Sequence, residues 1–182
     1  MKKLRILKDT NPSLRKKSVE VKLPLSQEDK DTLLAMNEWL RLSQDDEYAE
    51  KHNMKAGVGM AAPQVGVNKR MFVIYFQNND GTYTNYILVN PRIIEQSAKM
   101  AALNGGEGCL SVDNPHQGLV HRHNKIKLVA YNLLSDKEET ITAEGYEAIV
   151  LQHEYDHLDG ILFYDRIDPF QPNNPKPGEK II

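Results

Sequence analysis

Residues 144–160 read Glu144-Gly145-Tyr146-Glu147-Ala148-Ile149-Val150-Leu151-Gln152-His153-Glu154-Tyr155-Asp156-His157-Leu158-Asp159-Gly160. Tyr146, Ile149, Val150, His153 and His157 share one broad face at helical spacing. The pattern predicts a helix starting near Glu144 and ending near Leu158, with Gly160 as its stop. His153 and His157 stand four residues apart, so both imidazoles can reach one ion from the same side. Glu154, beside the first of them, can serve as general base on a water held at that ion. The plainer alternative is a solvated helix with two accidental histidines. It is disfavoured because His153 lies on the apolar side, where a buried His and Glu without partners are costly or change protonation.

A hydrolytic metal site wants three protein ligands and one open position. Downstream, Leu158, Asp159, Gly160 and Phe163 follow the metzincin pattern as far as the glycine. Phe163 then occupies the place of the third histidine and cannot bind metal. His157 is the last histidine, so a downstream ligand would be Asp159, Asp165, Asp168 or Glu179, with Asp159 pointing elsewhere on the helix end. Upstream, Cys109 in Glu107-Gly108-Cys109-Leu110-Ser111 could complete a Cys-His-His set. A lone cysteine is more often a buried inert residue, but Gly105 and Gly106 just before it suggest close backbone approach. His121 and His123 neighbour Arg122 and Lys125, which would oppose a cation, and read as surface residues together with His52 and His116.

Working further outward, Ser26 reads as the N-cap of a helix with Glu28 and Asp29 in its first turn. Leu33, Met36 and Leu40 form its stripe, widened by Leu34 and Trp39. Residues 43–53 are polar and either extend that helix or loop out. Residues 1–24 read as irregular. Met71 to Phe76 reads as a buried strand, Asn78 to Gly81 as a turn, and Tyr83 to Val89 as a second strand ended by Asn90-Pro91. Lys125 to Tyr131 alternates as a half-buried strand. From Asp168 the chain is proline-rich and irregular, with an apolar end at Ile181-Ile182. The expected architecture is α+β: antiparallel sheets packed around a central C-terminal helix carrying the metal motif, in a single domain over residues 1–182 with an irregular tail from about 168.

Composition is consistent with this. The chain has 182 residues, 40% hydrophobic and 26% charged, enough for a core without disulfides. Its 23 basic and 25 acidic residues give a net charge of −2, which lacks the basic excess common in nucleic-acid binders. No apolar run approaches the roughly 20 residues of a membrane span. The basic start, Met1 to Lys8, lacks the apolar stretch of a secretory signal. A cytoplasmic protein is expected.

Three segments together carry a resemblance: Gly57-Val58-Gly59-Met60-Ala61-Ala62-Pro63-Gln64, Glu107-Gly108-Cys109-Leu110-Ser111 and His153-Glu154-Tyr155-Asp156-His157. In this order the chain closely resembles peptide deformylases, whose G-x-G-x-A-A-x-Q, E-G-C-L-S and H-E-x-D-H motifs it matches without departure. The likeness runs from about Leu7 to Asp165. The polar stretch 43–53 and a tail lacking an amphipathic helix resemble the family's type 2 members.

The resemblance implies hydrolytic removal of the N-formyl group from the N-terminal formylmethionine of new polypeptides, with release of formate. It implies Cys109, His153 and His157 as ligands of Fe2+, replaceable by Zn2+, Ni2+ or Co2+; two imidazoles and a thiolate by themselves suit zinc as well as iron. It implies Glu154 as proton carrier, with the Gln64 side-chain amide and the Leu110 backbone N–H as oxyanion donors. Val58, Gly59 and Gly108 are expected to bind substrate, the glycine-rich edge pairing with an extended peptide by strand addition. Tyr146, Ile149 and Val150 offer a pocket for the methionine side chain. The implied partners are N-formylmethionyl nascent peptides, with transient ribosome association, and neither nucleic-acid specificity nor a membrane. Two other readings remain at this stage: a metallopeptidase with a downstream carboxylate ligand, and a binding protein with a closed structural metal site.

Overall fold

The computed structural model describes residues 4–182; Met1, Lys2 and Lys3 of the basic start lie outside the described residues. Its elements in order are α1 (Gln27–Ser43), α2 (Asp46–His52), β1 (Gly59–Ala61), β2 (Met71–Gln77), β3 (Tyr83–Gln96), β4 (Met100–Ala102), β5 (Arg122–His123), β6 (Lys125–Asn132), β7 (Lys137–Glu144), α3 (Tyr146–Leu158) and β8 (Lys180–Ile181), with short 3-10 turns at Pro12–Arg15, Ala62–Val65 and Phe163–Arg166. Five strands form an antiparallel sheet in the order β1-β2-β3-β6-β7, and β5-β4-β8 form a small second sheet. The expected α+β class holds.

β2 is the hinge of the packing because it is buried on both faces. Phe72, Ile74 and Phe76 point to one side, into a core shared with Leu128, Val150 and Leu151. Met71 and Val73 point to the other, against Leu33, Met36 and Leu40 of α1. Alternation of side chains across a strand therefore turns one continuous apolar run into two cores. The sheet lies between α3 and α1; α3 is buried nearly all round because β5, β7 and the Ala62–Val65 turn also pack on it, whereas α1 packs mainly on β1, β2 and α2.

Ser26 does cap α1: its hydroxyl accepts from Asp29 N–H at 3.1 Å. Ser26→Ala is expected to lower stability by about 1 kcal/mol, read as a lower urea midpoint with an unchanged slope. Leu34 does not widen the stripe. It is 51% exposed, because a step of 100° from Leu33 carries it away from Met36 and Leu40. The polar stretch after α1 neither continues the helix nor simply loops out; Asp45 caps the separate α2.

Three boundaries differ from expectation. Asn90-Pro91 does not end β3, which runs on to Gln96. The register to β6 shifts between Val89 and Arg92, so the missing proline N–H falls at an irregularity. Asn90 sits at φ 50 and its side-chain amide pairs with both backbone groups of Val21 at 2.8 Å. α3 starts at Tyr146 rather than near Glu144, because Glu144 pairs with Lys125 in the sheet and Gly145, at φ 63, turns the chain into the helix. The segment beyond Asp168 is irregular except for β8, which pairs in parallel with β4.

Candidate active site

α3 crosses the cleft between the glycine-rich edge β1 and the loop after β4. The Ala62–Val65 turn, closed by Gly66 at φ 82, folds Gln64 back under that edge. Gln64 is held at both ends of its amide: Oε1 accepts from Ala61 N–H at 2.8 Å, and Nε2 donates to Ser111 Oγ at 3.0 Å while its second hydrogen has only a long approach to Cys109 Sγ at 3.5 Å. Cys109 and Val112 form a bridge around a tight turn that presents the thiol.

Cys109, His153 and His157 offer ligand atoms that all lie within 4.8 Å of one another. Cys109 Sγ is 3.4 Å from His157 Nε2. His153 turns its Nδ1 to Glu107 Oε2 at 2.8 Å, which leaves Nε2 facing the cluster, the usual arrangement for a metal-bound imidazole with a carboxylate behind it. Glu107 is itself gripped by Arg122, Nε to Oε1 at 2.6 Å and a second bond at 2.8 Å. Burial alone would raise the Glu107 carboxyl, but Arg122 and His153 outweigh it and hold it down to about 2. Arg122 reaches on to Asp156 at 2.9 Å, and Arg166 closes the chain of charges on the same carboxylate.

Glu154 is buried beside this cluster, and its Oε2 has no hydrogen-bond partner among the described residues. Burial is the main force on its carboxyl, which is pushed up to about 7. Three soft or borderline donors converging next to an unpartnered carboxylate are the donor set of a three-ligand metal centre with an open side. The residues present therefore fit a divalent transition metal.

Of the residues assigned to the site from the resemblance, all but His157 line one cavity of about 230 Å³. It is lined by Val58 and Gly59 from the β1 edge, by Gly108, Cys109 and Leu110 from the cysteine loop, by Tyr146, Ile149, Val150, His153 and Glu154 from α3, and by Gln64. His157 lies just behind, in contact with Cys109. The downstream carboxylates lie elsewhere: Asp159 pairs with Arg70, Asp165 with Arg15, Glu179 with His121, and Asp168 accepts from Phe170 and Gln171 N–H.

Some expectations need correction. Of the four histidines read as surface residues only His52 is exposed. His121 is held by Glu179, His123 bonds Ser97 O at 2.7 Å, and His116 stacks on Tyr164. Arg122, between His121 and His123, is itself buried between Glu107 and Asp156, because the two-residue alternation of β5 turns it inward. Sequence reasoning also passed over Leu103 and Lys55, which line the cavity; Lys55 Nζ donates to Cys109 O at 3.3 Å. No local pattern marks either.

Fold and site thus define a hydrolase of the H-E-x-x-H metal-site class, built on an α+β frame. The sequence model of the family described as polypeptide deformylase matches residues 3–173. The peptide deformylase of Staphylococcus epidermidis is 46% identical over 171 residues, 93% of each chain, and that of Oceanobacillus iheyensis is 46% identical over 176 residues, 94% of this chain and 96% of the other. Among solved structures, a class I type b peptide deformylase from Acinetobacter baumannii with Met-Ala-Ser bound superposes with a TM-score of 0.71 at 31% identity, covering 90% of this chain and 98% of that one. The Thermotoga maritima peptide deformylase gives 0.68 at 30% identity, covering 93% and 100%. The chain belongs to the polypeptide deformylase family. It is a metal-dependent hydrolase that removes the N-formyl group from newly synthesised polypeptides. No helix among the described residues is long and apolar enough to cross a membrane.

Proposed function

We propose that Cys109, His153 and His157 hold the metal, that Glu154 moves the proton, and that the ion in the cell is Fe2+, one per chain, with Zn2+, Ni2+ or Co2+ able to replace it. The observation that carries this reading is the convergence of the three donors, with an unpartnered carboxylate, at one cavity that Cys109, His153 and Glu154 line. When bound, the ion supplies Lewis acidity that brings the pKa of a water towards about 7.

The chain's own groups do the rest. Glu154 takes the water's proton and returns it to the amine that leaves as the formyl C–N bond breaks. The oxyanion that develops on the formyl oxygen takes hydrogen bonds from Gln64 Nε2 and the Leu110 N–H. Ser111 Oγ and Ala61 N–H fix the Gln64 amide so that its nitrogen faces the cavity. β1 pairs with β2 on one side only and is the edge of its sheet; Val58 O is taken by Tyr75 N–H at 2.8 Å, so the outward-facing backbone of Gly59 is the part that can add an extended peptide as a further strand, with Val58 beside it. Gly108 lies on the facing edge. The methionine side chain enters between Ile149, Val150 and Tyr146. The Acinetobacter baumannii relative binds Met-Ala-Ser, a peptide that begins with methionine, which supports this placement.

The same reading makes residues 1–182 one catalytic domain of the type 2 subclass, cytoplasmic, with nascent chains as substrate and transient ribosome association. The separate helix α2 and the absence of a helix after Arg166 among the described residues support the subclass.

The test is formate release from a formyl-Met tripeptide by protein purified anaerobically with ferrous iron. Rapid release, with an acetyl-Met peptide and internal peptide bonds left intact, is the expected result. An iron-loaded sample that releases no formate would overturn the reading. Exposure to air is expected to inactivate the iron form, because ferrous iron and the Cys109 thiolate are both oxidisable; equal activity of aerobic and anaerobic iron-loaded samples would count against iron.

A further inference from the structure

β8 lies close to the cavity without lining it. Ile182, which follows it, donates its N–H to Ala102 O at 3.0 Å and accepts from Asn104 N–H at 2.7 Å. Those two bonds bracket Leu103, the residue between, and Leu103 lines the substrate cavity. The other end of the same residue reaches the start of α3: Ile182 Cδ1 is 3.6 Å from where a β-carbon on Gly145 would stand, immediately before Tyr146, which also lines the cavity. The segment leading there is held in place independently. Glu179 has a fully buried side chain bonded twice to His121, itself only 8% exposed, and Leu119 N–H donates to Pro172 O at 2.7 Å.

Leu103 stands just past β4, a strand of three residues, and its own carbonyl closes only a short turn by accepting from Gly106 N–H at 3.1 Å. In that turn Gly105 and Gly106 are both at positive φ. Residues of that kind hold a wall only as well as their neighbours pin them. We infer that Ile182 is a positioning residue for substrate binding: it pins Leu103 from both sides and so sets the width of the cavity between Leu103 and Tyr146. This rests on the deformylase reading of that cavity.

A wall that binds substrate and transition state alike acts on KM rather than kcat. Ile182→Pro removes the N–H to Ala102 while the residue before it, in β8, already has the extended conformation that proline demands. Loss of one such bond predicts a rise in KM for a formyl-Met tripeptide of about fivefold, with kcat within about twofold and metal content unchanged. Ile182→Val keeps both backbone bonds and most of the side chain, and is expected to restore the wild-type KM. Wild-type KM in Ile182→Pro, or a fall in kcat or metal content at constant KM, would overturn the inference. Wild-type protein that releases no formate would instead overturn the deformylase reading, so the two failures are separable.

Discussion

Replacing Glu154 with glutamine is expected to lower formate release by about 10²- to 10⁴-fold while the protein keeps its full complement of metal. Glutamine has the shape of glutamate and fits the same buried space, so the change removes the proton carrier and little else. The effect is expected to be large because no second carboxylate can take over. Glu107 also lines the cavity, but both its oxygens are occupied by Arg122 and His153. The carboxylates of Asp165, Asp168 and Glu179 are engaged away from the cleft. The measurement is steady-state formate release alongside metal analysis of the same preparation. Loss of metal together with activity would make Glu154 a ligand or a structural prop, and unchanged activity would favour a closed structural site.

The parts legible in the sequence are those where a local pattern and the tertiary environment agree. α3 carries helical periodicity, two histidines at a spacing that geometry restricts, and a glycine stop. β2 is apolar on both faces because it is buried on both faces, so six apolar residues in a row could be read as a central strand. β6 alternates because only one of its faces meets the core. The helix begins two residues past Glu144 for a physical reason: Glu144 belongs to a strand whose pairing with Lys125 depends on a residue 19 positions away. β7 went unread because its inward face offers only Ile141 and Ala143 as buried apolar residues amid threonines and glutamates. β4, β5 and β8 have two or three residues each, and such strands exist only through the partners that the fold brings to them.

The site divides in the same way. The metal-ligand candidates, Glu154 and Gln64 stand in compact motifs, and the structure places them around one cavity. What the motifs leave unread is the support behind them. Arg122 joins Glu107, which orients His153, to Asp156, which stands about one turn further along the same helix. A charged residue between two histidines carries no local sign of that duty. Its role comes from a contact 15 residues back and another 34 residues ahead. Replacing either carboxylate would leave part of that buried charge uncompensated, and unpaired buried charge is far more costly than the pair is stabilising.

Gly59 is the position where motif and packing meet most tightly, and Gly59→Ala is expected to lower kcat by about 10²-fold. A β-carbon at Gly59 would stand 2.3 Å from Glu154 Oε1 and 2.7 Å from its Cδ, well inside contact distance. The backbone of β1 cannot retreat readily, because Gly59 pairs with Ile74 in the sheet and Met60 beside it is fully buried. The carboxylate must therefore move, and Glu154 is itself enclosed. A displacement of about 1 Å in a group that has to meet a reacting atom is enough for a loss of that size. The cause is testable by a double-mutant cycle. If the added methyl acts by pushing Glu154 aside, Gly59→Ala should cost much less in a Glu154→Gln background than in wild type, because the group it misplaces no longer works. Full additivity would mean that the methyl acts elsewhere, by blocking the strand edge where the peptide pairs. That alternative has its own signature, a rise in KM at constant kcat.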